Sequence, residues 1–203
     1  MVKIAIVDYG LGNIRSIKRG LEEVESEPYI THEREEIADA DAIVLPGVGA
    51  FGEAAKNLKP ISETILDQIH KEKPLLGICL GLQLLFTTST EGGIHRGLNV
   101  LRGKVIQLPP NVKVPHMGWN TLRIVKPDSP LLAGIPDGAY VYFVHSYYGD
   151  AENEDEIISK TNYGKEFPSA VSKKHTFATQ FHPEKSGKNG LQILRNFVEY
   201  VKS

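Results

Sequence analysis

The sequence predicts an α/β protein: an open, mostly parallel, twisted sheet with helices on both faces and added antiparallel strands in the second half. Three observations lead there. Short, continuous apolar runs, KIAIVD at 3–8, DAIVL at 41–45 and PLLGI at 74–78, have the composition of strands buried on both faces. Between them, apolar residues recur at spacings of three and four, the period of a helix face. That alternation of strand and helix implies crossover connections and a parallel sheet. From Val100 onward, short β-rich stretches separated by Gly, Pro and Asn read instead as hairpins laid along one edge of the sheet.

Taken in order, 3–8 forms the first strand and YGLGN turns the chain. Asn13 is placed to cap a helix that carries Ile14, Ile17, Leu21 and Val24 on one side. PYIT is a weaker strand. The strand at 41–45 runs into Pro46-Gly47-Val48-Gly49, and helices follow over 53–58 and 61–71. The strand at 74–78 leads into a helix over 80–86. Later strands are expected at 100–108, 120–125, 139–148, 156–162, 167–173 and 176–181, and a helix over 187–201 closes the fold. No repeat, low-complexity segment or linker divides the chain, so 1–203 reads as one domain.

Composition bounds the function. The chain has 203 residues, 41% hydrophobic and 24% charged, with a formal net charge of −2 and no long block of one sign. That is a soluble globular composition and argues against a nucleic-acid-binding face. No apolar run approaches the roughly 20 residues that span a bilayer, and MVKIAIVDYG lacks the features of a signal peptide. A single cysteine cannot form an internal disulfide, which points to a reducing, cytoplasmic setting.

That cysteine, Cys79, lies in Gly77-Ile78-Cys79-Leu80-Gly81, between a strand and a helix. The pattern G-x-C-x-G is the cysteine form of the nucleophile elbow, a sharp turn whose flanking glycines remove β-carbons that would clash. The following helix start favours a thiolate, and the amide of Leu80 points to where an oxyanion would develop. In FHPE, His182 and Glu184 are two apart. On an extended backbone, to which Pro183 biases His182, both face one way. Glu184 can then orient the imidazole while its other nitrogen takes the cysteine proton. Pro46–Gly49 follows a strand, where its glycines allow close backbone approach and a peptide rotation that adds a second oxyanion donor. Gly10-Leu11-Gly12 also follows a strand, but Arg15 stands where a dinucleotide fingerprint needs its third glycine. Residue chemistry alone thus reaches a cysteine nucleophile with a His–Glu pair acting on a carbonyl. A cysteine hydrolase or peptidase, and a catalytically silent binding module, remain open at this level.

GICLGLQLLF, FHPE and PGVG together resemble the class I (triad) glutamine amidotransferase family over essentially the whole chain. DYGLGN, PGVGAFG, PHMGWN, YFVHSYY and FHPEKS narrow the resemblance to the glutaminases of histidine biosynthesis. A glutaminase subunit serving another amidotransferase is the alternative. The resemblance implies that Cys79, His182 and Glu184 hydrolyse L-glutamine through a glutamyl thioester. Oxyanion donors would come from the Gly47-Val48 peptide and Leu80. Gly49, Gly81, Gln83, His145, Ser146 and Tyr147 would hold the substrate, with Glu91 a partner for its α-ammonium. Ammonia would pass through a channel to a (β/α)₈-barrel cyclase subunit in a heterodimer. Asn13, Trp119, Tyr142 and Lys185 would lie near the docking face, Lys185 in a cross-subunit ion pair. A Gly47 carbonyl turned inward at rest would leave the oxyanion unsupported until the partner binds its acceptor. No cofactor is implied, and the histidines show no metal-ligand spacing.

Overall fold

The computed structural model describes Met1–Ser203. Strand and helix alternate through the first half: β1 (Lys3–Val7), α1 (Ile14–Glu22), β2 (Glu27–Thr31), α2 (Arg34–Asp39), β3 (Ala42–Leu45), α3 (Phe51–Leu58), α4 (Ser62–His70), β4 (Leu75–Ile78) and α5 (Leu80–Leu84). The second half is strand-rich: β5 (Phe86–Ser89), β6 (His95–Arg96), β7 (Leu101–Gln107), β8 (His116–Thr121), β9 (Arg123–Ile124), β10 (Tyr140–His145) and β11 (Tyr147–Ala151). It ends with β12 (Ile157–Asn162), β13 (Glu166–Lys173), β14 (Thr176–Thr179) and α6 (Gly187–Lys202).

The main sheet has eight strands in the order β2-β1-β3-β4-β14-β13-β12-β9. The first five are mutually parallel, and β13, β12 and β9 extend the sheet antiparallel. Both faces are covered, which is why β3 and β4 carry no polar side chain at any position. Ala42 and Val44 of β3 face one core with Ile17 and Leu21 of α1 and Leu194 and Phe197 of α6. Ile43 and Leu45 face the other, with Ile37 of α2, Phe51 and Ala54 of α3 and Ile65 of α4. No helix is long and apolar enough to cross a membrane.

The second half departs from a simple edge of hairpins. Only β9, β12, β13 and β14 join the main sheet; β8 and β10 form their own pair, and β11-β7-β5-β6 a third sheet. The expected strand over 139–148 is two strands, broken at Ser146, whose halves pair with β8 and β7 respectively. Pairing of β8 begins at His116, ahead of the expected 120, and Leu122 separates it from β9. The expected helix over 80–86 ends at Leu84, and Phe86 already belongs to β5. The short helix α2, REEIAD, has Ile37 as its one buried residue, too little periodicity to mark it in the sequence. Asn13 occupies the cap position of α1 but makes no side-chain capping bond.

β3, β4 and β14 are parallel neighbours, so their carboxyl ends open on one edge. Pro46–Gly49, Cys79 and His182 follow those three ends, the edge at which open α/β sheets bind ligands.

Candidate active site

Cys79 joins β4 to α5 at φ 54°, ψ −106°, a left-handed conformation that strains any residue with a β-carbon. Its N–H donates to the Thr179 carbonyl at 2.7 Å, which ties the elbow to β14. The flanking glycines are a packing requirement. A Cβ on Gly81 would lie 1.8 Å from the Leu45 carbonyl oxygen, and one on Gly77 would lie 3.0 Å from the backbone of Gly81. The first turn of α5 therefore presses on the end of β3 more closely than a side chain permits.

His182 Nδ1 donates to Glu184 Oε1 at 2.8 Å, and both side chains are buried. The backbone route differs from the extended one expected: Pro183–Lys185 is a 3₁₀ turn, with only His182 extended. Ser186 fastens this turn to β10, donating to the His182 carbonyl at 2.6 Å and accepting from the Tyr142 N–H at 2.9 Å. Burial alone would discharge the imidazole. The negative charges of the nearby Cys79 sulfur and of Glu184, to which Nδ1 is bonded, outweigh burial and raise His182 from 6.5 to about 10, while its Nε2 is buried without a hydrogen-bond partner. It is a cation at neutral pH, the state that pairs with an anionic sulfur and can hand a proton to a leaving amine.

The Pro46–Gly49 strand lies against this elbow. The Tyr9 hydroxyl at the end of β1 donates to the Pro46 carbonyl. Burial and the nearby negative Cys79 push this phenol up, so it stays a neutral donor. A Cβ on Gly47 would meet the Leu80 Cβ at 2.6 Å and the Tyr9 oxygen at 2.7 Å. The Gly47 carbonyl points at the elbow and accepts the Leu80 N–H at 3.4 Å. The donor that an oxyanion needs thus already holds a carbonyl.

Beside Cys79 opens a cavity of about 230 Å³. Val48, Gly49, Leu80, Gln83 and Glu91 line it together with Pro115, Val144, His145, Ser146 and Tyr147. All the expected substrate residues line it except Gly81; Gly47 does not line it either. Glu91 has one oxygen committed to the Phe51 N–H at 2.8 Å, capping α3 while facing the cavity. Gln83 donates to the Tyr147 carbonyl at 2.8 Å, as does His145 Nδ1 at 2.9 Å. His116, stacked between Phe143 and Tyr163, donates to His145 Nε2 at 3.0 Å. Burial dominates at both rings, lowering His145 to about 3 and His116 to about 4. Both are neutral near pH 7, so His145 shapes the site and His182 is its one cationic imidazole.

The four residues expected near a docking face lie outside the cavity. Trp119 of β8 is 56% exposed and packs edge-on against its cross-strand partner Tyr142, with centroids 5.9 Å apart. Met117 and Tyr140, exposed on the same two-stranded sheet, extend this apolar surface. Lys185 is exposed and Asn13 half-buried. Tyr9, His116 and Gln180 belong to the site but were not singled out from the sequence. For Gln180 a signal existed in its place two residues before His182, although β14 ends at Thr179 and the chain bends at Gln180 and Phe181.

An elbow cysteine, a buried His–Glu pair and a glycine-bearing strand at one sheet edge form a candidate triad amidohydrolase site. The glutamine amidotransferase class-I family matches residues 5–201, and the chain belongs to that family. It is a glutamine amidotransferase. The curated "Imidazole glycerol phosphate synthase subunit HisH" of Methanosarcina mazei is 52% identical, over 98% of this chain and 99% of its own. The protein of the same name in Methanocaldococcus jannaschii is 51% identical, over 98% of this chain and 100% of its own. Among solved structures, "PurLQS from Thermotoga maritima" shares the fold with a TM-score of 0.80 at 19% identity, covering 98% of this chain and 99% of that one.

Proposed function

We propose that this chain is the glutaminase subunit of an imidazole glycerol phosphate synthase, working as one glutamine amidotransferase domain over 1–203 in the cytoplasm. The observation that carries the chemistry is a buried His182, bonded to the Glu184 carboxylate and in the electrostatic field of the Cys79 sulfur, which itself lines a cavity. Cys79 attacks the side-chain carbonyl carbon of glutamine. The tetrahedral intermediate collapses, the C–N bond breaks, and His182 Nε2 supplies the proton with which ammonia leaves. Water, deprotonated by the same nitrogen, then cleaves the glutamyl thioester to glutamate and restores the sulfur. Gln83, Glu91 and the His145–Tyr147 segment hold the amino-acid end of the substrate. Free ammonia is mostly protonated in neutral water and loses its nucleophilicity, so the reading includes a (β/α)₈-barrel cyclase subunit. The barrel accepts ammonia through a channel and makes imidazole glycerol phosphate and aminoimidazole carboxamide ribotide. The high identity to relatives named as subunits of that synthase supports this choice over another amidotransferase.

The inward Gly47 carbonyl supports a gated site. Rotation of the Gly47-Val48 peptide would free the Leu80 N–H and bring the Val48 N–H inward, completing the oxyanion hole. One missing donor of this kind costs roughly 10²- to 10³-fold in rate. Glutamate release by the chain alone is therefore expected to be at least about 10²-fold slower than with the barrel and its ribotide acceptor. Equal rates in both conditions would remove the gate, and turnover unaffected by this barrel would point to a different synthase.

A further inference from the structure

A buried hydrogen-bond chain behind the cavity fixes which atom faces the nucleophile. The Tyr147 carbonyl can only accept, so the Gln83 group 2.8 Å from it is the NH₂. That nitrogen has a second hydrogen, aimed 3.2 Å away at the side chain of Gln180, whose facing atom must then be its oxygen. The remaining end of Gln180 is its NH₂, 3.7 Å from the Cys79 sulfur. Gln180 is fully buried, so neither end can be satisfied by bulk water. The only other polar contact of the sulfur is the Val144 carbonyl at 3.7 Å, an acceptor that suits a thiol and not an anion.

We propose that Gln180 is a further catalytic residue, one whose side-chain amide donates a hydrogen bond to the anionic sulfur of Cys79. The inference rests on the reading of Cys79 as the nucleophile. A donor at that position stabilises the thiolate before attack and again when it leaves the hydrolysing thioester. It also gives a role to a polar amide that lies fully buried two residues before His182. The orientation is set from a distance, because Tyr147 orients Gln83 and Gln83 orients Gln180. The titratable groups around the sulfur are His182, with Glu184 behind it, Tyr9 beyond the end of β1, and Glu91, His145 and Tyr147, which line the same cavity.

The test exploits the single cysteine, because the ultraviolet absorbance of thiolate and the rate of alkylation by iodoacetamide then both report Cys79 alone. Both are followed against pH in the full chain, in Gln180→Met and in Gln180→Glu. Gln180→Met keeps the length and removes the amide. Gln180→Glu keeps an oxygen for Gln83 and replaces only the end facing sulfur. A hydrogen bond to a charged group is strong enough to move the thiolate midpoint by about one pH unit, so alkylation below the midpoint should slow roughly tenfold in Gln180→Met. Gln180→Glu should slow it at least as much. A folded variant of either kind with an unchanged midpoint overturns the proposal. Failure of both variants to fold also counts against it, since Gln180 would then be structural. Glutamine turnover by the unaltered chain with its partner is measured separately. A wild-type failure there defeats the proposed function while the thiolate comparison still reads the contact.

Discussion

Glutamine hydrolysis in the presence of the partner barrel should fall by at least about 10⁴-fold in Cys79→Ala, the scale on which removal of a triad nucleophile acts. The reason is covalent. His182 and Glu184 can orient and move a proton, but without the sulfur there is no thioester, and water must attack an unactivated amide. Alanine retains the β-carbon that the strained elbow already accommodates, and Cys79 Sγ makes only two long polar contacts, both at 3.7 Å. Cys79→Ala should therefore fold, with a melting temperature within a few degrees of the unaltered chain. A folded Cys79→Ala chain that retains substantial glutaminase activity would show that the nucleophile lies elsewhere. Assay of glutamate release beside a thermal melt separates lost chemistry from a lost fold.

The second large effect is one of backbone contact. Gly81→Ala would place a methyl group 1.8 Å from the Leu45 carbonyl oxygen, 2.8 Å from its carbon and 3.1 Å from the Pro46 carbonyl. These are main-chain atoms of β3 and of the strand that follows it, so no rotamer change relieves the clash. α5 would have to lift from the sheet, taking Leu80 and the elbow with it. Destabilisation above about 4 kcal/mol is expected, in the range that only severe packing faults reach. In a chain of this size that lowers the melting temperature by about 10 °C or more. Gly77→Ala should be milder, because its nearest contacts are 3.0 to 3.1 Å. A denaturation series that ranks the two in the opposite order would contradict this account of the elbow.

The parallel half of the fold was legible because its inner strands are covered on both faces, so β1, β3 and β4 appear as unbroken apolar runs. The strand-rich half was only partly so. The residues of 139–148 read as one strand, yet Ser146 hands the chain from one small sheet to another. Composition registers that strands exist there; it does not register a change of partner. FTTS of β5 has one fully apolar residue and pairs through backbone, which leaves little pattern to read.

At the site, the glycine-flanked cysteine and the His–Glu pair could be picked out as candidates from the sequence, and PGVG marked the adjoining strand. The His182–Glu184 contact was anticipated, although a 3₁₀ turn makes it and not a continued strand. The inward Gly47 carbonyl was harder to foresee. Glycine permits either orientation of that peptide, and its setting comes from the Leu80 N–H it meets in space. Gln180 passed unnoticed for a related reason. Glutamine has no acid–base chemistry of its own, and its role appears only once Tyr147, Gln83 and Cys79 are brought together.

The most direct measurement of the central claim is peptide-mapped mass spectrometry of the chain after reaction with the chloroketone analogue of glutamine. The analogue occupies the substrate's place and alkylates a sulfur poised against its carbonyl. The account predicts one adduct per chain, on Cys79, suppressed by excess glutamine and absent from Cys79→Ala. Modification elsewhere, or labelling of Cys79 that glutamine does not compete away, would contradict it.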